Sequence, residues 1–164
     1  MIADIILDKV DYGILRLMQE NSRISNVDIA RELGMAPSAV LERVKKLEQK
    51  KVILQYTTRI NPSALQQNLL AFVSMKSSEG YGSSDTGKLL ANIEEVQEVH
   101  HIAGDDCYLI KVRTANSASL MELMRTRFSQ IPNILSTRTT IVLETVKEHQ
   151  QLIIPQTTIN EPAK

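Results

Sequence analysis

Ser38, Glu42, Lys45 and Gln49 recur at intervals of three and four residues, so at about 100° per residue they share one face of a helix. Ala39 stands beside Ser38 near the start of that helix. Such side chains can meet base edges in the major groove of DNA. Glu42 can accept from the amino group of cytosine, or it can hold Lys45 or Lys46 in place. Around this face stand Arg43, Lys46, Lys50, Lys51 and Arg59, and Glu48 is the one acid between Arg43 and Arg59. Cations placed this way would grip phosphates, the contact that supplies most non-specific affinity for nucleic acid. A mixed Lys/Glu face is also what any solvated helix carries, so the elements that hold these residues must decide.

Those elements are two short amphipathic helices around a glycine turn. Ser25 with Asp28 three positions on has the spacing of a helix start. Val27, Ile29, Ala30 and Leu33 form a small apolar face, and Gly34 can take the positive φ that ends a helix. The second helix opens at Ala36-Pro37, with Val40, Val44 and Leu47 as its inward stripe. An earlier helix is expected over 8–21, with Asp8 and Asp11 at the cap and third positions and Val10, Ile14, Leu17 and Met18 buried. An alternating, β-branched strand is expected over Ile53–Ile60. Three helices and a strand make a winged helix-turn-helix, the arrangement a reader of the major groove requires.

The whole chain has 19 basic and 19 acidic residues, so bulk charge does not draw it to nucleic acid. The halves differ: residues 1–60 hold 10 Lys and Arg against 8 Asp and Glu, and 61–164 hold 9 against 11. A length of 164 residues suits one ordinary domain or two small ones, with a core built from Leu, Ile and Val because aromatics are 4%. The single cysteine, Cys107, excludes an internal disulfide framework and a multi-cysteine zinc site. The start, MIADIILD, is acidic where a signal peptide is basic, and no apolar run nears the roughly 20 residues that span a bilayer. A cytoplasmic protein with no membrane partner is expected.

Asn61-Pro62-Ser63 breaks regular structure and marks a linker. Beyond it the pattern predicts a strand over Leu69–Ser77, a helix over Ser83–Val96, strands over Val99–Ala103 and Tyr108–Thr114, a helix over Ser117–Ile131, and a last strand within Ile134–Lys147. The order β-α-β-β-α-β is a ferredoxin-like split βαβ sheet with both helices on one face. Its other face, carrying Phe72, Ile110 and Val142 or their neighbours, needs a second subunit to cover it. Leu152–Ile154 can add an edge strand, and the chain after Pro155 reads as unstructured. The fold class is therefore α+β. The expected domains are a winged helix-turn-helix over 1–60, a linker over 61–68, the βαββαβ domain over 69–147 and a tail over 148–164.

In this order LDKVDYGIL (7–15), NVDIARELGMAPSAVLERVKKLE (26–48), VILQYTTRINPSAL (52–65), GDDCYL (104–109) and TRTTIVLETVK (137–147) resemble the Lrp/AsnC, or feast/famine, transcription factors of bacteria and archaea. The resemblance implies a winged helix-turn-helix joined to a RAM-type effector domain. It also implies dimers formed through the sheet, further assembly into tetramers or octamers, and an amino acid bound between subunits. Association with the nucleoid follows. Three positions depart from the family pattern: Ala36 replaces the usual capping Ser, Lys51 replaces a Gly, and Cys107 stands where the family commonly has Asp.

By the same resemblance the effector residues are Gly104, Asp105, Asp106, Cys107 and Tyr108, with Thr137 and Thr139 on the last strand. An α-ammonium needs a carboxylate, which Asp105 or Asp106 can supply; an α-carboxylate needs the N–H groups of a turn opened by Gly104. Tyr108 can frame the ligand side chain. Gly-Asp-Asp is also ordinary turn chemistry. His100 and His101 alternate on a strand and cannot chelate one metal together. Cys107 beside two carboxylates is a poor thiolate. No nucleophile with its base and no phosphate loop is visible, so neither an enzyme nor a cofactor is expected. The expected function is a sequence-specific regulator acting on double-stranded DNA as a homodimer or larger homo-oligomer. The alternatives are a non-specific protein that wraps DNA, and a small-molecule sensor acting on a protein partner.

Overall fold

The computed structural model describes residues 5–79, 84–104 and 106–155. The chain forms two compact units, one taking the chain through Arg59 together with the segment from His149, the other Ile60–Glu148.

In the first unit α1 is Lys9–Glu20, α2 Asn26–Leu33 and α3 Pro37–Gln49. Asp8 caps α1 by accepting from the N–H groups of Val10 and Asp11, and Asp11 answers by accepting from Asp8 N–H, a complete capping box. Ser25 caps α2, and Gly34 ends it at φ 65°. Pro37 opens α3 with no side-chain cap from Ala36. Ile14, Ile29, Ala30, Val40, Val44 and Leu47 are the buried centre, one stripe from each helix. The helix end at Gln49 closes through Lys51 at φ 58°, so lysine takes the left-handed position that glycine favours. The expected strand over Ile53–Ile60 does not form: residues 54–60 are irregular. A strand needs a neighbouring backbone, and this one has none among the described residues.

In the second unit β1 (Leu69–Ser77), α4 (Asp85–Ala91), β2 (Val96–His101), β3 (Tyr108–Thr114), α5 (Ser117–Thr126) and β4 (Ile134–Ile141) build an antiparallel sheet in the order β2-β3-β1-β4. Ala71, Val73 and Met75 lie opposite Val112, Ile110 and Tyr108, and this row is roofed by Leu90, Leu120, Leu123 and Phe128. Ile110 therefore belongs to the helix-covered face, not the open one; the period of two puts its neighbours Leu109 and Lys111 on the open side with Phe72.

Three boundaries also differ from expectation. Helix α4 runs only from Asp85 to Ala91, because Val96 and Val99 pair with Val112 and Ile110 and draw the chain into β2. The last helix stops at Thr126 and passes through a 3₁₀ turn at Phe128–Gln130, since Pro132 disfavours a helical Ile131. β4 ends at Ile141: Val142 N–H still reaches Leu70 O, but β1 offers no backbone beyond Leu69. Leu152–Ile154 is not an edge strand; its main chain bonds to side chains of α1. Ser83 and the chain after Pro155 lie outside the described residues.

Candidate DNA-reading face and effector loop

On α3, Val40, Val44 and Leu47 are buried, while Ser38, Glu42, Lys45, Lys46 and Gln49 are exposed and Ala39 is half-buried at the edge. Lys50 and Lys51 continue the exposed cationic run, and Arg59 is exposed further on. Among the described residues Glu42 forms no ion pair with Lys45 or Lys46, so its carboxylate projects from the same face as the lysines. Glu48 accepts from the Tyr56 hydroxyl at 2.8 Å. Burial and that carboxylate push the Tyr56 phenol up to about 12. This bond folds the irregular segment back onto α3 and occupies the acid that sits among the cations.

Arg43 departs from the expected role. Its Nη1 reaches Asp8 Oδ2 at 2.6 Å and Asp11 Oδ1 at 2.9 Å, and its side chain is one-third exposed. The capping box of α1 thus doubles as the seat of an α3 arginine. The Asp8 carboxyl is held below the usual range, first by the backbone N–H of Asp11 and then by Arg43, and the Arg43 guanidinium is held protonated by both acids. A cation so engaged ties two helices together rather than offering itself to a phosphate.

The loop between β2 and β3 is closed by Ile102 N–H to Cys107 O at 2.9 Å. Gly104 has φ 140°, a value that a side chain would strain. Asp105 lies outside the described residues. The Asp106 carboxylate is taken by Arg138 of β4 at 2.6 Å. Cys107 is half-buried, with its thiol 3.6 Å from Ser77 O. Tyr108 is only 2% exposed, so it is a core residue and not an open wall. Its ring stacks on His101 with centroids 5.0 Å apart and lies under Gly87, where a Cβ would come within 3.0 Å of it. Its hydroxyl donates to Glu79 Oε2 at 3.1 Å, and burial, then Glu79, push its pKa up. Thr137 and Thr139 are exposed on β4, opposite Met75 and Val73.

Arg138 and Glu79 were not among the expected site residues. Arg138 lies between Thr137 and Thr139, and alternation puts its side chain on the other face of β4 from theirs, so the two threonines do not point to it. Glu79 carries no signal of spacing. His100 bonds to Glu98 while His101 stacks on Tyr108, and the two rings take different partners as alternation requires. Among the described residues no group of three or more His, Cys, Asp or Glu is placed to hold a metal ion, and no helix is long and apolar enough to cross a membrane.

Residues 7–48 match the AsnC-type helix-turn-helix domain, and residues 70–152 match the Lrp/AsnC ligand binding domain. The leucine-responsive regulatory protein of Haemophilus influenzae is 36% identical over 150 residues, 90% of each chain. That of Escherichia coli K12 is 35% identical over 150 residues, 90% of this chain and 92% of its own. Among solved structures, the feast or famine regulatory protein of M. tuberculosis complexed with L-methionine superposes with a TM-score of 0.84 at 33% identity, covering 92% of this chain and all of that one. AsnC of E. coli superposes at 0.78 with 25% identity, covering 92% and 99%. These relatives are regulators, not enzymes.

Proposed function

For a chain that belongs to the Lrp/AsnC family of transcriptional regulators, we propose sequence-specific binding to double-stranded DNA through the outer face of α3, modulated by an amino acid held at the β2–β3 loop. The observation that carries the DNA half is the division of α3: one stripe buried to the last residue, the other exposed with Ser38, Glu42, Lys45 and Gln49 in line. Ser38, Ala39, Glu42 and Lys45 read base edges; Gln49 lies along the same face. Lys46, Lys50, Lys51 and Arg59 hold phosphates.

The effector half rests on the Asp106–Arg138 pair and on the L-methionine complex of the M. tuberculosis relative. A zwitterion carries the same two charges as that pair. Its ammonium can take Asp106 and its carboxylate Arg138, with Gly104 supplying loop backbone beside Cys107, and with Thr137 and Thr139 flanking Arg138 on β4. A second copy covers the open sheet face and completes the site. Homodimers reading two half-sites, assembled into tetramers or octamers and held at the nucleoid, are the working form.

Titration calorimetry with each of the twenty amino acids tests the effector half: heat with at least one, abolished in Arg138→Ala, is expected. Flat traces throughout would remove it. Binding of duplex DNA with and without that amino acid tests the whole reading, and no binding at physiological salt would leave a sensor of another partner.

A further inference from the structure

Gln19, half-buried near the end of α1, spends both ends of its carboxamide on one backbone residue. Its Nε2 donates to Leu152 O at 2.7 Å, and its Oε1 accepts from Leu152 N–H at 2.9 Å. Gln151 Nε2 donates to Gln19 O at 3.3 Å, and Arg16 Nη2 donates to Pro155 O at 3.4 Å. A side-chain amide offering one donor and one acceptor to a single residue supplies what a neighbouring strand would supply.

Side-chain burial seats this segment only at Ile154, which is half-buried: Leu152 is 76% exposed and Ile153 99%. A cleft of about 300 Å³ lies between α1 and the segment, so the contact is a main-chain clasp and not core packing. Within the other unit, Glu148 is anchored by Lys111 and by Arg113 Nη2 at 3.5 Å, two cations whose side chains are 12% and 11% exposed. The chain is therefore gripped immediately before and shortly after it leaves that unit.

We propose that residues 149–155 are a strap, seated on α1 by Gln19 with Arg16 closing its end. The DNA-reading unit is then joined to the sheet unit by two connections, at Arg59–Ile60 and at Glu148–His149.

A protease site inserted among residues 61–65 allows the first connection to be cut in an otherwise complete chain. Nicked wild-type protein holds its N-terminal piece roughly 5- to 30-fold more tightly than nicked Gln19→Ala does. In uncut protein, hydrogen exchange at the Leu152 amide rises roughly 5- to 30-fold in Gln19→Ala, the span of a loss of one to two kcal/mol. Gln19→Glu, which keeps the acceptor but sets a carboxylate against Leu152 O, falls between. Unchanged exchange at Leu152 in Gln19→Ala would overturn the strap. So would a nicked Gln19→Ala protein that holds together as firmly as nicked wild type. In a mixture of Gln19→Ala chains with chains ending at Glu148, protection of Leu152 can arise only between copies; finding it would overturn the within-chain assignment.

Discussion

The outer face of α3 and the β2–β3 loop were both expected to meet a ligand, yet one chain prepares them in opposite ways. On α3 the groups stand exposed, and Glu48 is occupied by Tyr56. In the loop the groups are already spoken for: Asp106 by Arg138, Tyr108 by Glu79, His101 and the core. A helix displays a reading surface through its own periodicity, whereas a site drawn from strands and loops is completed by exchange of partners. On the proposed function, DNA would need only to approach the first, whereas an effector would have to displace the Asp106–Arg138 ion pair at the second.

The sharpest way to break this contrast is to truncate one residue from each region. Tyr108→Ala removes a core ring and should destabilise the sheet unit by about 3–5 kcal/mol. Ser38→Ala should change stability by less than about 0.5 kcal/mol. Denaturant melts followed by probes in each unit check both. A mild effect of Tyr108→Ala would return that ring to the ligand wall.

The next effect separates cations on α3. Lys46→Ala with Lys50→Ala should weaken DNA binding and lower the slope of log K against log salt by about 2, since each phosphate left unneutralised takes roughly 0.9 from it. Arg43→Ala should leave the slope unchanged and instead cost about 1 kcal/mol of stability. A reduced slope in Arg43→Ala would restore it as a phosphate ligand.

Acid sharpens the same distinction. The folded Asp8 carboxyl lies below its unfolded value, so its stabilisation is complete above about pH 4 and lost as pH falls through the folded value. Arg43→Ala should flatten this acid dependence of the first unit, as thermal melts between pH 2 and 6 would reveal. An unaltered profile would mean that the backbone of Asp11 alone holds Asp8.

The smallest effects lie at the ends of α3. Ala36→Ser should add a cap and stabilise by up to about 1 kcal/mol. Lys51→Gly should relieve the left-handed lysine by a similar amount while lowering the salt slope by about 1. Gain of stability without change of slope would assign Lys51 a purely structural position.

What the sequence made legible was local. Asp8 with Asp11, Ser25 and Gly34 act within one turn of themselves, and each sits as its spacing predicts. β1 and β3 occupy their expected bounds because flanking breakers and alternation agree. The ion pairs of Arg43 were not legible because its acids are 32 and 35 residues away, a separation that no helical period encodes. Alternation left Ile110 and its neighbours as alternatives for the open face, and the pairing of Phe72 with Lys111 decides for the neighbours. The strand over 53–60 failed because β-branched alternation states a preference, and pairing requires a partner.

The central claim is that α3 reads sequence. Selecting bound duplexes from a random pool with the purified chain tests it directly. Enrichment of a roughly palindromic motif with half-sites about one helical turn apart is expected, and it should vanish in a Ser38→Ala, Glu42→Ala variant that still binds random DNA. A pool that stays flat with the wild-type protein, or a motif indifferent to both substitutions, would contradict the account.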